Sequence, residues 1–476
     1  MSGSAAALPA RNLATTMTAR QKSLAFFTLV VALVLEIVDL TIVNTALPAI
    51  QADFGGGGAQ AQWVVAGYSL SFAVLLILGG RLGDLFGCRA MFLLGVAGFT
   101  LASLLCGAAT DADQLVAARV LQGAAGAIMG PQVMALIQVL YDPVERIGRL
   151  AWFGVIGGLA AIVGPILGGF LIAANLFGLG WRSIFLINGP IGVIAIFAGL
   201  MLLPRADPGR ARPRIDGVGT IQFGLALALL LYPLIRGERL EWHWSIPAYF
   251  AAAALLALTG WRGLKHRAGQ GGAVIFDPLL MANRTFCLGL AVAVTFAAAN
   301  TGFLFVFAYG LQRQLGYSPF QTGLIHMPFS AGVMFGIAFI GRRFLAQFGK
   351  RVLVGGAVMM ALSYGAALAW IVGGSSNFAL LVPVLVAAGI GMGMLSGPIP
   401  PVTVARVERQ HAGAASGILK TVQQAGSAIG VALAGSAYFA FAGRGLAVAA
   451  VVVELMVLLC GLMALRLPRQ IFPGPA

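Results

Sequence analysis

Long apolar runs separated by short polar breaks recur along the whole chain. Fourteen of them approach or exceed the roughly 20 residues that an α-helix needs to cross a bilayer. They lie at about 25–47, 62–80, 90–109, 114–139, 149–174, 183–203, 217–235, 246–264, 285–310, 321–341, 352–372, 377–400, 413–441 and 446–466. An even number of spans predicts both termini on one side. The first run is longer than the apolar core of a signal peptide, contains Glu36 and Asp39, and is followed by further spans, so it reads as a retained helix. Residues 1–20 read as a disordered tail.

The breaks carry the charge that orients these spans. Of the 30 Lys and Arg residues, Arg182, Arg236, Arg239, Arg313 and Arg444 fall in loops on the side opposite the N-terminus, and Arg119 falls within a span. All the others, Lys420 among them, are counted on the N-terminal side. Lys and Arg in short loops mark the cytoplasmic side, so both termini are expected there. The net charge of +15 is then a topology signal and an attraction to anionic headgroups, and nucleic acid is not expected as a partner.

Composition agrees. Residues are 59% hydrophobic and 9% charged, against roughly 25% charged in soluble domains. The 65 glycines suit close helix packing in lipid. Cys88, Cys106, Cys287 and Cys460 are far apart with no CxxC pair, which predicts buried thiols without metal or disulfide.

A weak repeat organises the spans. The second ends in Gly80-Arg-Leu-Gly-Asp84-Leu-Phe-Gly87-Cys-Arg89, and the tenth in Gly341-Arg342-Arg343-Phe-Leu-Ala-Gln-Phe-Gly349-Lys350-Arg351. Each is a basic turn closing the second helix of a six-helix set. The expected fold is an all-α polytopic membrane protein of two six-helix bundles with two helices between them, and a substrate path between the bundles near the midplane. The expected segments are a cytoplasmic tail (1–24), the first bundle (25–203), a linker with two extra helices (204–282), the second bundle (283–466) and a cytoplasmic tail (467–476).

Few residues can do chemistry in such a chain. An acid within a span is costly and usually faces a cavity or a partner. Glu36 and Asp39 are three residues apart, which places them on one helix face. Either could carry a proton across, or hold a static salt bridge. Arg119 needs acceptors when buried, and Asp39, Glu36 or backbone carbonyls are the candidates. In the loop after the second span, Gly80 and Gly83 allow close helix approach, Asp84 can cap the next helix or pair with a base, and Arg89 faces the cytoplasm. Pro165 removes a helix hydrogen bond and can kink the fifth span, beside Gly164, Gly168 and Gly169. Asn300, Tyr309, Gln312 and His326 are polar groups near the ninth and tenth spans, with His326 read first as a structural histidine. Glu454, in the last span, is expected to be lipid-exposed or locally paired.

Taken in order, these stretches resemble the motifs of the fourteen-helix drug:proton antiporter family of the major facilitator superfamily. The matching residues are Asp39-Leu-Thr41-Ile-Val-Asn44-Thr-Ala-Leu-Pro48, Gly80 to Arg89, Leu115-Val-Ala-Ala-Arg119-Val-Leu-Gln122-Gly123 and Gly164-Pro165-Ile-Leu-Gly168-Gly169. Trp181 to Pro190 is similar too, with Ser183 where an aromatic is common. Leu85 and Cys88 stand where the family usually has basic residues.

The resemblance implies a major facilitator fold in a bacterial cytoplasmic (inner) membrane. It implies proton coupling or substrate binding at Asp39, Glu36 and Arg119, and a conformational switch at Gly80, Asp84, Gly87 and Arg89. Gly164, Pro165, Gly168 and Gly169 would form the antiporter motif, the main reason to expect export rather than uptake. Asn44, Gln122, Asn300, Tyr309, Gln312 and His326 are expected to line the substrate cavity. The expected substrate is a hydrophobic small molecule, cationic ones included. No cofactor is expected: no GxxxxGK[ST] loop occurs, and the proton gradient would drive transport. The alternatives are a proton-coupled uptake symporter, an exporter dedicated to one metabolite and, further off, a channel, receptor or membrane enzyme. His243, His266, His326 and His411 are scattered, and no HExxH or GxSxG occurs.

Overall fold

The computed structural model of the protein describes residues 17–468 except 56, 205–215, 237–244, 271, 273, 276–277, 376, 409–410 and 442. Most of the expected N-terminal tail, the Arg- and Pro-rich part of the linker, and 469–476 of the C-terminal tail therefore lie outside the described residues. Among the described residues every regular element is helical. In chain order these are α1 (Ala19–Phe54), α2 (Gly58–Phe86), α3 (Cys88–Ala108), α4 (Ala112–Leu140), α5 (Pro143–Ala174), α6 (Ser183–Leu186), α7 (Asn188–Leu202), α8 (Gly217–Arg236) and α9 (Ser245–Gly269). There follow α10 (Arg284–Tyr309), α11 (Pro319–Phe335), α12 (Arg342–Phe348), α13 (Lys350–Val372), α14 (Phe378–Ser396), α15 (Ile399–Val404), α16 (Ala412–Ala440) and α17 (Gly445–Leu465).

Twelve helical segments among the described residues are long and apolar enough to span a membrane. The other two expected spans are present as α9 and α16, helices of 25 and 29 residues. The first span starts earlier than its apolar run, because Thr18 and Gln21 form a capping box that begins α1 at Ala19. The ninth runs on beyond α10 into a π-helical turn, Gly310–Gln314.

The two sets of helices pack alike. In the first, α2 and α3 lie on α4, and α1 lies on α5; in the second, α11 and α13 lie on α14, and α10 lies on α16. Small residues set these distances. A Cβ at Gly79 of α2 would strike the Ala127 carbonyl of α4, and one at Gly389 of α14 would strike the Phe329 carbonyl of α11. The helices α8 and α9 pair with each other, and α8 also rests on α2 and α16.

Two equivalent seams join the sets, α2 with α16 and α5 with α11. An even number of crossings puts the start of α1 and the end of α17 on one face, here the terminal face. The seams are knit near the opposite face. There Gln312 Nε2 donates to Thr45 O at 2.9 Å, and Arg313 Nη2 to Pro48 O at 3.2 Å. Ser436 Oγ donates to Gln62 Oε1 at 3.3 Å across the other seam.

Candidate functional site

The site is built outward from α1. Asp39 is fully buried, which an ionised carboxylate tolerates only with strong partners. Its Oδ2 accepts from Arg119 Nη1 of α4 at 2.5 Å. Its Oδ1 accepts from Gln122 Nε2 at 2.8 Å and Asn188 Nδ2 at 3.4 Å. Arg119 is buried too, and donates further to Val64 O at 3.0 Å and Gln122 Oε1 at 2.7 Å. Its guanidinium lies over the Tyr68 ring, 4.4 Å from the centroid. Ser103 of α3 closes the network by accepting from Asn188 at 2.9 Å and Gln122 at 3.2 Å, and by donating to Phe185 O at 3.0 Å. Of the three acceptors expected for Arg119, it takes Asp39 and a carbonyl, and leaves Glu36.

Glu36 belongs elsewhere. Its Oε1 accepts from Lys420 Nζ at 2.9 Å, an ion pair that joins α1 of the first set to α16 of the second. The Glu36 side chain is 6% exposed and that of Lys420 is 44% exposed. Lys420, counted from the sequence with the charges of the N-terminal side although the run 413–441 covers it, is a residue of α16. Its aliphatic stem lets the ammonium reach inward from a helix end. A three-residue step on a helix turns a side chain by about 60° from its starting direction, enough to separate the two acids of α1 into different networks.

The expected cavity residues disperse. Gln122 sits within the Asp39 network, fully buried. Asn44 Nδ2 bonds back to Leu40 O at 3.4 Å, and Gln312 serves the seam described above. Tyr309 is fully buried among Phe305, Tyr438 and Phe439. Asn300 accepts from Tyr364 Oη at 2.9 Å. His326 Nδ1 bonds Thr322 O of its own helix at 2.7 Å and meets the Phe307 ring edge-on. The Asn44 and His326 bonds stay within their own helices and those of Gln122, Asn300 and Gln312 join different helices, so the six do not form one polar lining. Glu454 points its carboxylate toward Gly365 of α13, and its Oε1 is buried without a hydrogen-bond partner among the described residues. At that atom it is neither exposed nor paired, while the residue as a whole is half-buried.

The loop after α2 also differs in detail from expectation. Gly87 has φ +90°, a conformation that suits glycine and turns the chain into α3. Arg89 caps the end of α7 instead of facing solvent freely, with Nη2 to Leu200 O at 2.5 Å. Asp84 is exposed; it makes no ion pair among the described residues and does not cap α3. The close approach belongs to Gly79 and Gly83, since a Cβ at Gly83 would strike Gln132 Oε1, while one at Gly80 would find Pro131 Cβ at 3.8 Å.

The glycines of α5 meet two neighbours. A Cβ at Gly164 would strike Thr41 Oγ1 of α1, and one at Gly168 would lie 2.6 Å from Ile42 Cγ1. Gly169 faces the Pro319 carbonyl of α11, and a Cβ at Gly323 of α11 would lie 2.5 Å from the Pro165 carbonyl. The motif therefore sits where α1, α5 and α11 converge. Pro165 lies inside α5, which stays continuous through it.

The sequence matches the family description Major Facilitator Superfamily over residues 29–282 and 288–473. The chain belongs to the major facilitator superfamily. Members similar to it include the probable actinorhodin transporter of Streptomyces coelicolor, 40% identical over 86% of this chain and 71% of that protein. The puromycin resistance protein pur8 of Streptomyces alboniger is 34% identical over 84% and 79%. Among solved structures, a bacterial homolog of the human lysosomal transporter Spinster, inward-facing and occupied, aligns with a TM-score of 0.69 at 18% identity, covering 97% of this chain and 100% of that one. The resemblance read from the motifs is borne out, and with it the major facilitator fold of a multi-pass membrane protein.

Ser103, Asn188 and Tyr68 were given no role from the sequence. Their signal was present as polar groups within apolar runs, but nothing in the run indicates which helix they meet.

Proposed function

We propose that this superfamily member exports hydrophobic small molecules across the cytoplasmic membrane in exchange for protons, with both termini in the cytoplasm. Relatives named for antibiotic transport and resistance support the substrate class. The excess of Lys and Arg on the terminal side supports the orientation.

The observation that carries the coupling is the buried Asp39–Arg119 pair. In this arrangement the Asp39 carboxylate is held by three donors from α4 and α7. A proton on Asp39 removes the charge that Arg119 opposes, and leaves the guanidinium to Gln122, Val64 O and the Tyr68 face. That exchange shifts α4 against α1. Helix α1 also holds the α5 glycines and, through Thr45 and Pro48, the second set. A protonation event within one bundle thereby reaches the contacts that close the far face, as alternating access requires. Close fitting of α1, α5 and α11 at these glycines closes that face to ions.

The test is dye and antibiotic flux in everted membrane vesicles with an imposed gradient, acidic inside. Gradient-dependent uptake into the vesicles is expected. Gradient-driven movement in the direction of the protons would mean symport and would overturn the export reading.

A further inference from the structure

The Glu36–Lys420 pair is asymmetric, and the asymmetry specifies a ligand. Three helices of the first set converge on the ammonium across the seam. Glu36 of α1 binds it at 2.9 Å, the Phe72 ring of α2 has its centroid 5.1 Å away, and a Cβ at Gly130 of α4 would lie 3.4 Å from Nζ. Glu36 lies near the middle of α1, and Lys420 about two turns into α16. The pair is thus inside the protein, between the bundles. Of its two members the acid is sealed and the base is open, at 6% and 44% exposure. A molecule entering between the bundles meets the ammonium first.

An ammonium has three donors, and the Glu36 carboxylate takes one of them. One turn further along α16, Gln424 has its amide Nε2 buried with no hydrogen-bond partner among the described residues. Two donors with unused capacity on one helix call for an acceptor, and the positive charge calls for an anionic one. The surrounding spans supply apolar surface for the remainder of the molecule.

We propose that Lys420, with Gln424, forms a binding site for amphiphilic organic anions: an apolar skeleton bearing a carboxylate or phenolate. The ligand's oxygen displaces Glu36 from Lys420, so the substrate and the Glu36 carboxylate compete for one ammonium. This deepens the export reading and rests on it for the ligand's role as cargo. It replaces the cationic cargo admitted from the sequence, where the two acids of α1 were visible and Lys420 was only tallied with the charges of the N-terminal side.

The test is equilibrium binding to the purified full-length protein in nanodiscs, without a gradient. The probes are 9-anthracenecarboxylate, the neutral 9-anthracenemethanol, and the cation tetraphenylphosphonium. The carboxylate is expected to bind about tenfold more tightly than the alcohol, the size of one charge-assisted hydrogen bond. Lys420→Gln should abolish that difference and Lys420→Arg should keep it. Glu36→Gln, which removes the competitor, should tighten carboxylate binding. Thermal unfolding of each variant checks that it is folded. Tighter binding of the cation, no binding of the carboxylate, or carboxylate affinity unchanged in Lys420→Gln would overturn the proposal. Failure of gradient-driven export would leave this binding result standing; export of cations without carboxylate binding would overturn this proposal alone.

Discussion

Glu36 and Asp39 are one turn apart on one helix, and their environments have little in common. Asp39 is closed in by α3, α4 and α7 of its own bundle, with a buried Arg119 and two amides on its oxygens. Glu36 reaches the other bundle, and its partner Lys420 is 44% exposed. A rotation of about 60° between them separates an internal ion pair from one that bridges the moving halves. The contrast suits a division of labour: one acid takes the proton, the other meets the cargo, and α1 connects them.

The sharpest way to break the contrast is to unpair the buried member. Arg119→Ala should destabilise the protein by about 3–5 kcal/mol, because the buried Asp39 carboxyl loses its partner. Denaturant unfolding in detergent checks this, and the double variant Asp39→Asn with Arg119→Gln should recover part of the loss. Next comes the packing that ties α1 to α5. Gly164→Val should cost about 1–3 kcal/mol through overpacking against Thr41, and should reduce export more than it reduces expression. Glu36→Gln should cost at most about 1 kcal/mol, since half-open pairs contribute little. A loss as large as that of Arg119→Ala would erase the distinction between the acids. The smallest effect is expected at Gly80→Ala, where a Cβ has room, with Gly83→Ala clearly worse because of Gln132. Expression and melting temperature of the two variants compare them directly.

Much of this was legible in the sequence. Each apolar run became a helix, since length and hydropathy determine spans without knowledge of neighbours. The pairing of Asp39 with Arg119 was legible only as one of three candidates, with Glu36 and backbone carbonyls, because few buried acids exist for a buried base to choose from. Lys420 was not legible in this role. It lies 384 residues from Glu36 in the chain, and a lysine in the first turns of a span was tallied with the charges of the N-terminal side. Gln122 and Tyr309 looked like cavity residues, yet helix rotation turns both into packed interiors. The choice of Gly79 over Gly80 at the α2–α4 contact has the same origin. Periodicity says which residues share a face, and tertiary packing decides what that face meets.

In the proposed mechanism Asp39 couples the proton to transport while Glu36 does not. This is tested most directly by comparing uphill transport with substrate exchange in proteoliposomes for Asp39→Asn and Glu36→Gln. In Asp39→Asn, exchange of labelled for unlabelled substrate should persist while gradient-driven accumulation is lost. In Glu36→Gln, accumulation should still respond to the gradient. Accumulation by Asp39→Asn equal to that of the unaltered protein would contradict the account.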